Sequence, residues 1–246
     1  NGSKDSGQDT GTGSYTPPRR MTNADYERMI DTTDEWIVSR TGIRERRHAD
    51  PGLDNSDMAV AACRGALEMS GTKPEEVDLV IIGTVTPDYL LPSTACVVQE
   101  KMGLVNAAAF DIVAGCTGFI NGLSIGNAFI KTGQYKKALV VGSERLTSIT
   151  NFNDRGTCVL FGDGAGAVVL EPTTGDSGIL STHLRSNGRL RELLWIPYGG
   201  SKNPYTSEYT YDGTNKVTMN GSEVFKVAVR EMGKAADIVV KEAGLA

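Results

Sequence analysis

The stretch Asp111-Ile112-Val113-Ala114-Gly115-Cys116-Thr117-Gly118-Phe119 joins two segments of different pattern. Residues 107–113 form a short run typical of a buried strand, and residues 119–131 have the spacing of a helix. Cys116 lies at the junction among small residues, which let a ligand approach the sulfur and let the backbone turn sharply. Because a helix N-terminus favours thiolate, this position predicts a nucleophile for acyl transfer. A cysteine that only fills the core is the alternative.

Helical patterns and apolar runs alternate around this corner. Residues 55–71 and 93–102 have helical spacing, whereas residues 77–84 are a continuous β-branched run and residues 137–142 a second short run. Such runs are typical of strands that are buried on both faces. The alternation predicts an α/β fold of layered helices around a largely parallel sheet, with Cys116 at the carboxyl end of a strand.

The ends of the chain have a different composition from its centre. Residues 1–10 contain no apolar side chain and are predicted to be a polar, flexible or foreign leader. The turn-rich connector that begins at Thr173 divides the rest into residues 11–172 and 173–246. The second part is predicted to contain a strand over 178–184 and a long amphipathic helix over 220–243.

Composition excludes several classes of protein. The 246 residues are 39% hydrophobic and 22% charged with a net charge of -5, which is typical of a globular protein and not of a nucleic-acid binder. No apolar run is long enough to span a bilayer. Four cysteines without a C-x-x-C pair, together with only two histidines, argue against a metal site and a disulfide framework. We therefore expect a reducing, cytoplasmic compartment.

Other groups with chemical potential have structural alternatives. His48 in a polar loop and His183 among apolar neighbours are both interpreted as structural residues. The glycines of residues 161–170 resemble a dinucleotide loop, but a strand follows them instead of a helix, which indicates close packing at a turn. The basic cluster of residues 39–47 near Trp36 suits a nucleotide with phosphates. A solvated loop with the indole packed on the core explains the same cluster, and the residues favour that second interpretation.

Several stretches together resemble β-ketoacyl-acyl carrier protein synthase III, the condensing enzyme that initiates dissociated fatty acid synthesis. They are residues 31–47 (DTTDEWIVSRTGIRERR), the Cys116 segment, residues 161–167 (FGDGAGA) and residues 219–226 (MNGSEVFK). The first stretch separates this family from thiolases, chalcone synthases and elongating condensing enzymes. The resemblance implies a thiolase-like α/β fold of two similar halves in layers of helices and sheets, with the second half incomplete here, and a homodimer.

The resemblance also assigns roles to individual residues. By position, Cys116 resembles the family nucleophile, and Leu91 resembles the residue that reaches across the dimer and helps to set acyl-chain length. Lys226 resembles part of the basic surface that meets the acidic carrier protein. Residues that resemble contacts of coenzyme A are Trp36 and Arg155 as the adenine sandwich, Thr32 and Arg40 as further contacts, and Met219, Ser222, Phe225 and Ala228 as the pantetheine tunnel wall.

The mechanism that the resemblance implies is ping-pong. The Cys116 thiolate attacks acetyl-CoA or another short acyl-CoA, and the acyl-enzyme then condenses with malonyl-acyl carrier protein after loss of CO2. Coenzyme A is thus part of a substrate, and no permanently bound cofactor, metal, nucleic acid or membrane partner is expected. The compartment would be the cytoplasm, or the plastid stroma in a photosynthetic eukaryote.

Two features depart from the family pattern. Its His and Asn donors lie in motifs beyond the long helix, and neither His48 nor His183 matches them; its first strand is apolar where this chain has polar residues 3–10. The chain taken alone is therefore expected to be competent for acylation rather than for condensation. Two alternatives stay open: a condensing enzyme of secondary metabolism with a different acyl starter, and a non-catalytic fragment or partner of an intact synthase.

Overall fold

Residues 6–173, 175, 177–206 and 215–245 are described by a computed structural model, and within them lie nine strands and seven α-helices. The strands are β1 (Ser6–Tyr15), β2 (Arg19–Thr22), β3 (Glu45–His48), β4 (Leu79–Gly83), β5 (Ala108–Ile112), β6 (Ala138–Arg145), β7 (Asp163–Thr173), β8 (Leu194–Trp195) and β9 (Thr218–Met219). The helices are α1 (Asn23–Glu27), α2 (Asp34–Thr41), α3 (Asn55–Ser70), α4 (Thr94–Met102), α5 (Gly118–Lys131), α6 (Arg155–Cys158) and α7 (Gly221–Glu242). None of these helices is both long and apolar enough to cross a membrane.

The main sheet has five strands in the order β1-β7-β6-β4-β5. The central strand β4 pairs in parallel with β5 and with β6, whereas β7 runs antiparallel to both β6 and β1. The predicted α/β class is confirmed. The prediction of a largely parallel sheet is wrong for β1 and β7, because half of the sheet consists of antiparallel pairs. Two further sheets are two-stranded, β2 with β3 and β8 with β9.

Helices cover both faces of the main sheet, as the runs of β-branched residues predicted. Along β4, Val80 and Ile82 pack with α3 and α4, whereas Leu79 and Ile81 pack on the other face with α5. All four of these side chains are fully buried. Since successive residues of a strand point to opposite faces, a strand between two helical layers needs apolar residues at every position.

The chain divides into two compact units, which interleave along the sequence. The first comprises Asn1–Arg19, Arg47–Arg145 and Asp163–Thr182 and contains the five-stranded sheet. The second comprises Arg20–Arg46, Leu146–Gly162 and His183–Ala246, with α1, α2, α6 and α7. The division into similar halves at residues 11–172 and 173–246 stays a prediction.

The leader predicted for residues 1–10 is wrong for residues 6–10, which belong to β1; residues 1–5 lie outside the described residues. β1 pairs along its length with β7 at the edge of the sheet. Its inward positions are glycines: a Cβ added to Gly11 would lie 2.3 Å from the Ala66 oxygen, and one added to Gly13 would lie 2.1 Å from the Ala62 oxygen. Strand and helix backbones therefore touch directly, so this strand buries surface without apolar side chains.

Two local predictions also need correction. The segment 178–184 forms no strand, because Gly178 takes a φ of +129° that extended backbone does not have, and Leu180 and Leu184 remain 55% and 44% exposed. Ile179 joins it to the sheet, since its N–H donates to the Gly7 carbonyl at 3.0 Å. His48 lies in β3 and is 5% exposed, so it is not part of a polar loop.

The contact between β1 and α3 predicts that two glycine substitutions differ in their effect on the free energy of unfolding. Gly13→Ala should destabilise the protein by roughly 1–3 kcal/mol, because the new methyl group has no space against the helix backbone. Gly188→Ala is the matched control, since no atom lies within 4 Å of the added Cβ there. Its effect should stay within about 0.5 kcal/mol. Urea unfolding measures both, and equal stability of the two variants would contradict the placement of β1.

Candidate active site

The corner that carries Cys116 has the predicted strand, turn and helix, but the strand is only half-buried, so the prediction of a buried strand is wrong. Strand β5 ends at Ile112, a 3₁₀ turn covers Gly115–Thr117, and α5 begins at Gly118. Gly115 makes the reversal with a φ of +53°, in the left-handed region that favours glycine. Cys116 is a free, exposed cysteine in this turn, so its sulfur is accessible at the carboxyl edge of the sheet. Core filling, the alternative for this cysteine, is therefore wrong.

Backbone packing fixes the corner from below. Gly83 at the end of β4 touches Gly118 at the start of α5, since a Cβ added to Gly83 would lie 2.5 Å from the Gly118 carbonyl carbon. The next residue, Thr84, donates its N–H to the Ile112 carbonyl at 3.1 Å. The end of β4 thus holds both the strand that enters the turn and the helix that leaves it.

A carboxylate fixes the corner from the side. Asp111, inside β5, accepts hydrogen bonds from the backbone N–H groups of Thr94 at 2.7 Å and Ala95 at 2.8 Å. These are the first N–H groups of α4, which have no partner within the helix. The strand before Cys116 is therefore tied to a second helix through a charge-assisted pair of bonds.

The other three cysteines differ from Cys116 in exposure. Cys63 and Cys158 are buried, and Cys96 is half-buried with its sulfur 3.8 Å from the Ala109 oxygen. Burial raises the pKa of Cys63 to about 12 and, as the main cause, that of Cys158 to about 11. Because thiolate is the attacking form, both buried thiols are poor nucleophiles at neutral pH.

In the second unit, the structure brings the predicted adenine sandwich together. Arg155, the first residue of α6, places its guanidinium carbon 4.8 Å from the centre of the Trp36 ring, and that of Arg40 lies 4.6 Å from it. Arg155 also donates to the Asp31 carbonyl at 2.9 Å. Trp36 therefore holds two cations within the range of cation–π attraction.

Thr32 lies next to this stack in sequence and carries an unusual hydroxyl. Its Oγ1 is buried and has no hydrogen-bond partner among the described residues. Thr33, by contrast, caps α2 by accepting from the Trp36 N–H at 3.1 Å. A buried hydroxyl without a partner is costly, so Thr32 is suited to a ligand group.

A buried arginine supports the stack from inside the second unit. Arg46 is 5% exposed, lies 4.8 Å from the Tyr26 ring centre, and donates its Nε–H to the Val159 carbonyl at 2.6 Å. It also donates to the side chain of Asn23. Because Val159 directly follows α6, this side chain connects the end of α6 with α1 and so helps to place Arg155. Nothing in the sequence pattern pointed to this role beyond the basic character of residues 39–47.

Helix α7 and the strand before it carry the predicted tunnel wall. Ala228 lines an open apolar groove of about 260 Å³ with Val224, Val227 and the leucines of the 3₁₀ segment Gly188–Leu193. Met219 lies in β9, and Ser222 and Phe225 are exposed on α7. The structure thus gathers Ala228 into a groove but does not bring the other three into it. Lys226 is exposed and pairs with Glu223 at 2.9 Å.

Leu91 lies in a loop of the first unit, and the large apolar side chains of this loop are exposed to solvent. Leu90 and Leu91 are 96% and 88% exposed, and Tyr89 is 59% exposed. Side chains of this size and exposure indicate a surface that another partner covers.

Sequence reasoning missed the polar groups at the ends of β4 and β6. Glu144 is partly buried and accepts three hydrogen bonds, two of them from Val85 at 2.9 Å and Thr84 at 3.3 Å. Burial is the main cause that raises its pKa above the usual range of a glutamate. The signal in the sequence was a glutamate two residues after the apolar run 137–142.

The mixed sheet between two helical layers, with an exposed cysteine at a strand–helix corner, is the thiolase-like α/β architecture of condensing enzymes. A family model described as 3-oxoacyl-[acyl-carrier-protein (ACP)] synthase III matches residues 110–188. Among curated relatives, β-ketoacyl-[acyl-carrier-protein] synthase III of Caldanaerobacter subterraneus subsp. tengcongensis is 50% identical over 96% of this chain and 71% of its own length. The synthase III of Alkalilimnicola ehrlichii is 49% identical over 96% and 72%.

Solved structures agree with these relatives. The 3-oxoacyl-[acyl-carrier-protein] synthase III of Aquifex aeolicus VF5 superposes with a TM-score of 0.88 at 43% identity, covering 97% of this chain and 72% of that one. The priming β-ketosynthase of the R1128 polyketide pathway has a TM-score of 0.89 at 35% identity, over 98% and 71%. The chain belongs to the β-ketoacyl-[acyl-carrier-protein] synthase III family and is an acyltransferase-type condensing enzyme.

Proposed function

We propose that this protein starts fatty acid synthesis by accepting an acyl group from a short acyl-CoA onto Cys116 and passing it to malonyl-acyl carrier protein. The exposed sulfur of Cys116 at the strand–helix corner is the observation that carries this proposal. Family membership supports it, since relatives near 50% identity bear the synthase III name. The secondary-metabolism alternative has weaker support, because the polyketide enzyme is 35% identical.

The first half-reaction needs only a thiolate and donors near the reacting carbonyl. The Cys116 sulfur attacks the thioester carbon of acetyl-CoA, the bond between that carbon and the CoA sulfur breaks, and CoA leaves as a thiolate that takes up a proton. The turn around Cys116 supports this chemistry, because α5 begins two residues later and the free N–H groups of a helix start can donate to a developing oxyanion.

The second half-reaction consumes the acyl-enzyme. Malonyl-acyl carrier protein loses CO2, and the resulting enolate carbon attacks the acyl carbon on Cys116, which releases the thiolate and a β-ketoacyl-carrier protein. The chain spans about 71% of the length of its relatives. The His and Asn that the resemblance implies for this step match neither His48 nor His183, so the residues described here supply the nucleophile and not the enolate donors.

Acetylation of Cys116 should be directly measurable. Incubation with acetyl-CoA should add one acetyl group to the intact mass of the protein, because Cys116 offers an exposed thiol at the corner. Cys116→Ser should abolish the adduct, and Cys96→Ser, which removes a half-buried thiol, should keep it. The proposal would be contradicted if neither acetyl-CoA nor any other short acyl-CoA formed an adduct.

We further propose that Trp36 and Arg155 bind the adenine of the acyl-CoA, with Thr32 and Arg40 as additional contacts. Support comes from the stack itself and from the buried, unpartnered hydroxyl of Thr32. Atoms in contact are separated by about 3.5–4.0 Å. A ring between Trp36 and Arg155 therefore needs roughly 7 Å, so Arg155 has to withdraw from the indole when the base enters.

The adenine proposal predicts a loss that depends on the adenosine part of the substrate. Trp36→Ala and Arg155→Ala should raise the acetyl-CoA concentration for half-maximal acetylation by about 2- to 30-fold, as expected for stacking worth about 0.5–2 kcal/mol. Acetyl-pantetheine, which lacks the adenosine, should be used equally well by both variants and the unmodified protein. Trp195→Ala is the control for a tryptophan outside the stack. Equal losses with both substrates would contradict the assignment.

We propose that the acidic carrier protein binds at α7, because this helix carries a row of basic side chains. Lys226, Arg230 and Lys234 follow one another at intervals of four residues and are 58% to 65% exposed, so they form a basic stripe on one side of the helix. Their present partners are Glu223 and Glu231. Such surface pairs contribute little to stability and can be exchanged for the acidic groups of a partner.

We also propose a homodimer, with Leu91 at its interface. β5 is an edge strand of the five-stranded sheet in the part of the chain that is described, and Leu90, Leu91 and Val113 near its carboxyl end are 79% to 96% exposed. An open edge beside exposed leucines can pair with a second copy of the same strand. A cytoplasmic location stays a prediction from the sequence.

The dimer proposal predicts a mass of two chains in sedimentation velocity. Leu91→Asp should weaken self-association at least about tenfold, because burying one leucine is worth roughly 1.5–3 kcal/mol. Met29→Asp alters another exposed apolar residue, 50% accessible on the second unit, and should leave the dimer intact. A monomer at all concentrations, or equal weakening by both substitutions, would argue against this interface.

A further inference from the structure

The carboxylate of Glu144 lies at the centre of a hydrogen-bonded cluster at the carboxyl ends of β4 and β6. Its Oε1 accepts from the Val85 N–H at 2.9 Å, and its Oε2 accepts from the hydroxyls of Thr84 at 3.3 Å and Thr86. The three donors are neutral and belong to one turn, residues 84–86. Thr84 and Thr86 are 2% and 6% exposed, so this turn is fixed from inside the protein.

The hydrogen bonds of the two threonine hydroxyls determine whether residue 144 must donate or accept. The Thr84 hydroxyl already accepts from Asn55 Nδ2 at 2.9 Å and from the Thr86 N–H at 3.1 Å, so its own proton is directed to Glu144. The Thr86 hydroxyl accepts from the Arg145 N–H at 2.8 Å, and its proton is directed to Glu144 as well. Residue 144 must therefore accept at both oxygens. A glutamine at position 144 would place its NH2 group, which is a donor, against another hydrogen-bond donor of the turn.

The turn held by Glu144 continues into the support of the nucleophile. Thr84 donates to the Ile112 carbonyl at 3.1 Å, at the end of the strand that leads to Cys116. Gly83, one residue earlier, is in direct backbone contact with Gly118, where the helix after Cys116 begins. Loosening residues 84–86 thus frees both sides of the Cys116 corner, although Glu144 does not take part in the contacts of the sulfur.

We propose that Glu144 is a positioning residue for acyl transfer, which holds the turn 84–86 under the strand–helix corner and so aims Cys116 at the thioester. This inference rests on the proposed function, because it assigns Glu144 to the acylation half-reaction. It explains why a carboxylate is partly buried at this place, since its three donors belong to the turn that supports the corner. Misplacement of a reacting group by about 1 Å can cost about a hundredfold in rate.

The test measures acetylation of Cys116 by acetyl-CoA in single turnovers, with iodoacetamide alkylation of Cys116 in parallel. Glu144→Gln should lower the maximal acetylation rate at least about tenfold and leave the half-saturating acetyl-CoA concentration within about twofold, because the variant disturbs aim and not binding. Alkylation by the small reagent should change less than about threefold, since the thiol stays exposed. Glu171→Gln removes another carboxylate of the sheet, which pairs with Lys137 at 2.8 Å, and should match the unmodified protein in every measurement.

A pair of threonine variants keeps the test sharp if Glu144→Gln does not fold. Thr86→Val keeps the shape and removes the hydroxyl, so it should lose acetylation rate as Glu144→Gln does. Thr86→Ser keeps the hydroxyl and should restore most of the rate. Equal rates for Thr86→Val and Thr86→Ser, or an unchanged rate for Glu144→Gln, would overturn the positioning role. An unmodified protein that is alkylated but never acetylated would instead overturn the proposed function, and this inference with it.

Discussion

The contact between two glycine backbones, Gly83 and Gly118, determines where Cys116, the proposed nucleophile, lies. No side chain fits between them, so the last residue of a central strand reaches the first residue of the helix that follows Cys116. This approach lets β5 end, turn through Gly115 and enter α5 within a few residues. A cysteine in such a short reversal cannot retreat into the core, and it stays exposed between a half-buried edge strand and a helix that is packed on the sheet. Accessibility of the sulfur is thus a consequence of close packing beneath it.

Two kinds of interaction, apolar packing and hydrogen bonds to carboxylates, hold the backbone around this contact. The apolar layers below it, with fully buried residues such as Ile81 and Val140, fix the strands relative to the helices but have no directional preference. The carboxylates Asp111 and Glu144 act at the loop end of the sheet, where hydrogen bonds to named donors set the course of the backbone. Burying them costs desolvation, and the bonds that offset this cost are also those that define the geometry of the corner. Precision at the site therefore depends on polar groups that the core itself does not need.

Sequence patterns predict the elements whose burial is carried by side chains. The strand and helix around Cys116 and the buried run of β4 were predicted within one or two residues of their true ends, because apolar periodicity directly reports their faces. β1 was misjudged because its burial is carried by glycines, which leave no apolar pattern. Arg155 and Trp36 meet only after the chain has folded, and the resemblance, not spacing, paired them. The role of Glu144 depends on strand order and on which turn lies beside β6, which no local pattern encodes.

The closed stack in the second unit limits what a base can gain there. Trp36 already has guanidinium groups at 4.6 Å and 4.8 Å from its ring centre, and Arg155 is also bound to the Asp31 carbonyl. A base that enters has to replace the contact between Arg155 and the indole, so its net stabilisation is smaller than that of a stack formed on an open ring and stays within about 0.5–2 kcal/mol. The main effect of such a subsite is to orient one end of a long ligand, and its contribution to the binding free energy is small. Under the adenine assignment proposed above, most of the binding free energy of a coenzyme A thioester comes from contacts outside this stack.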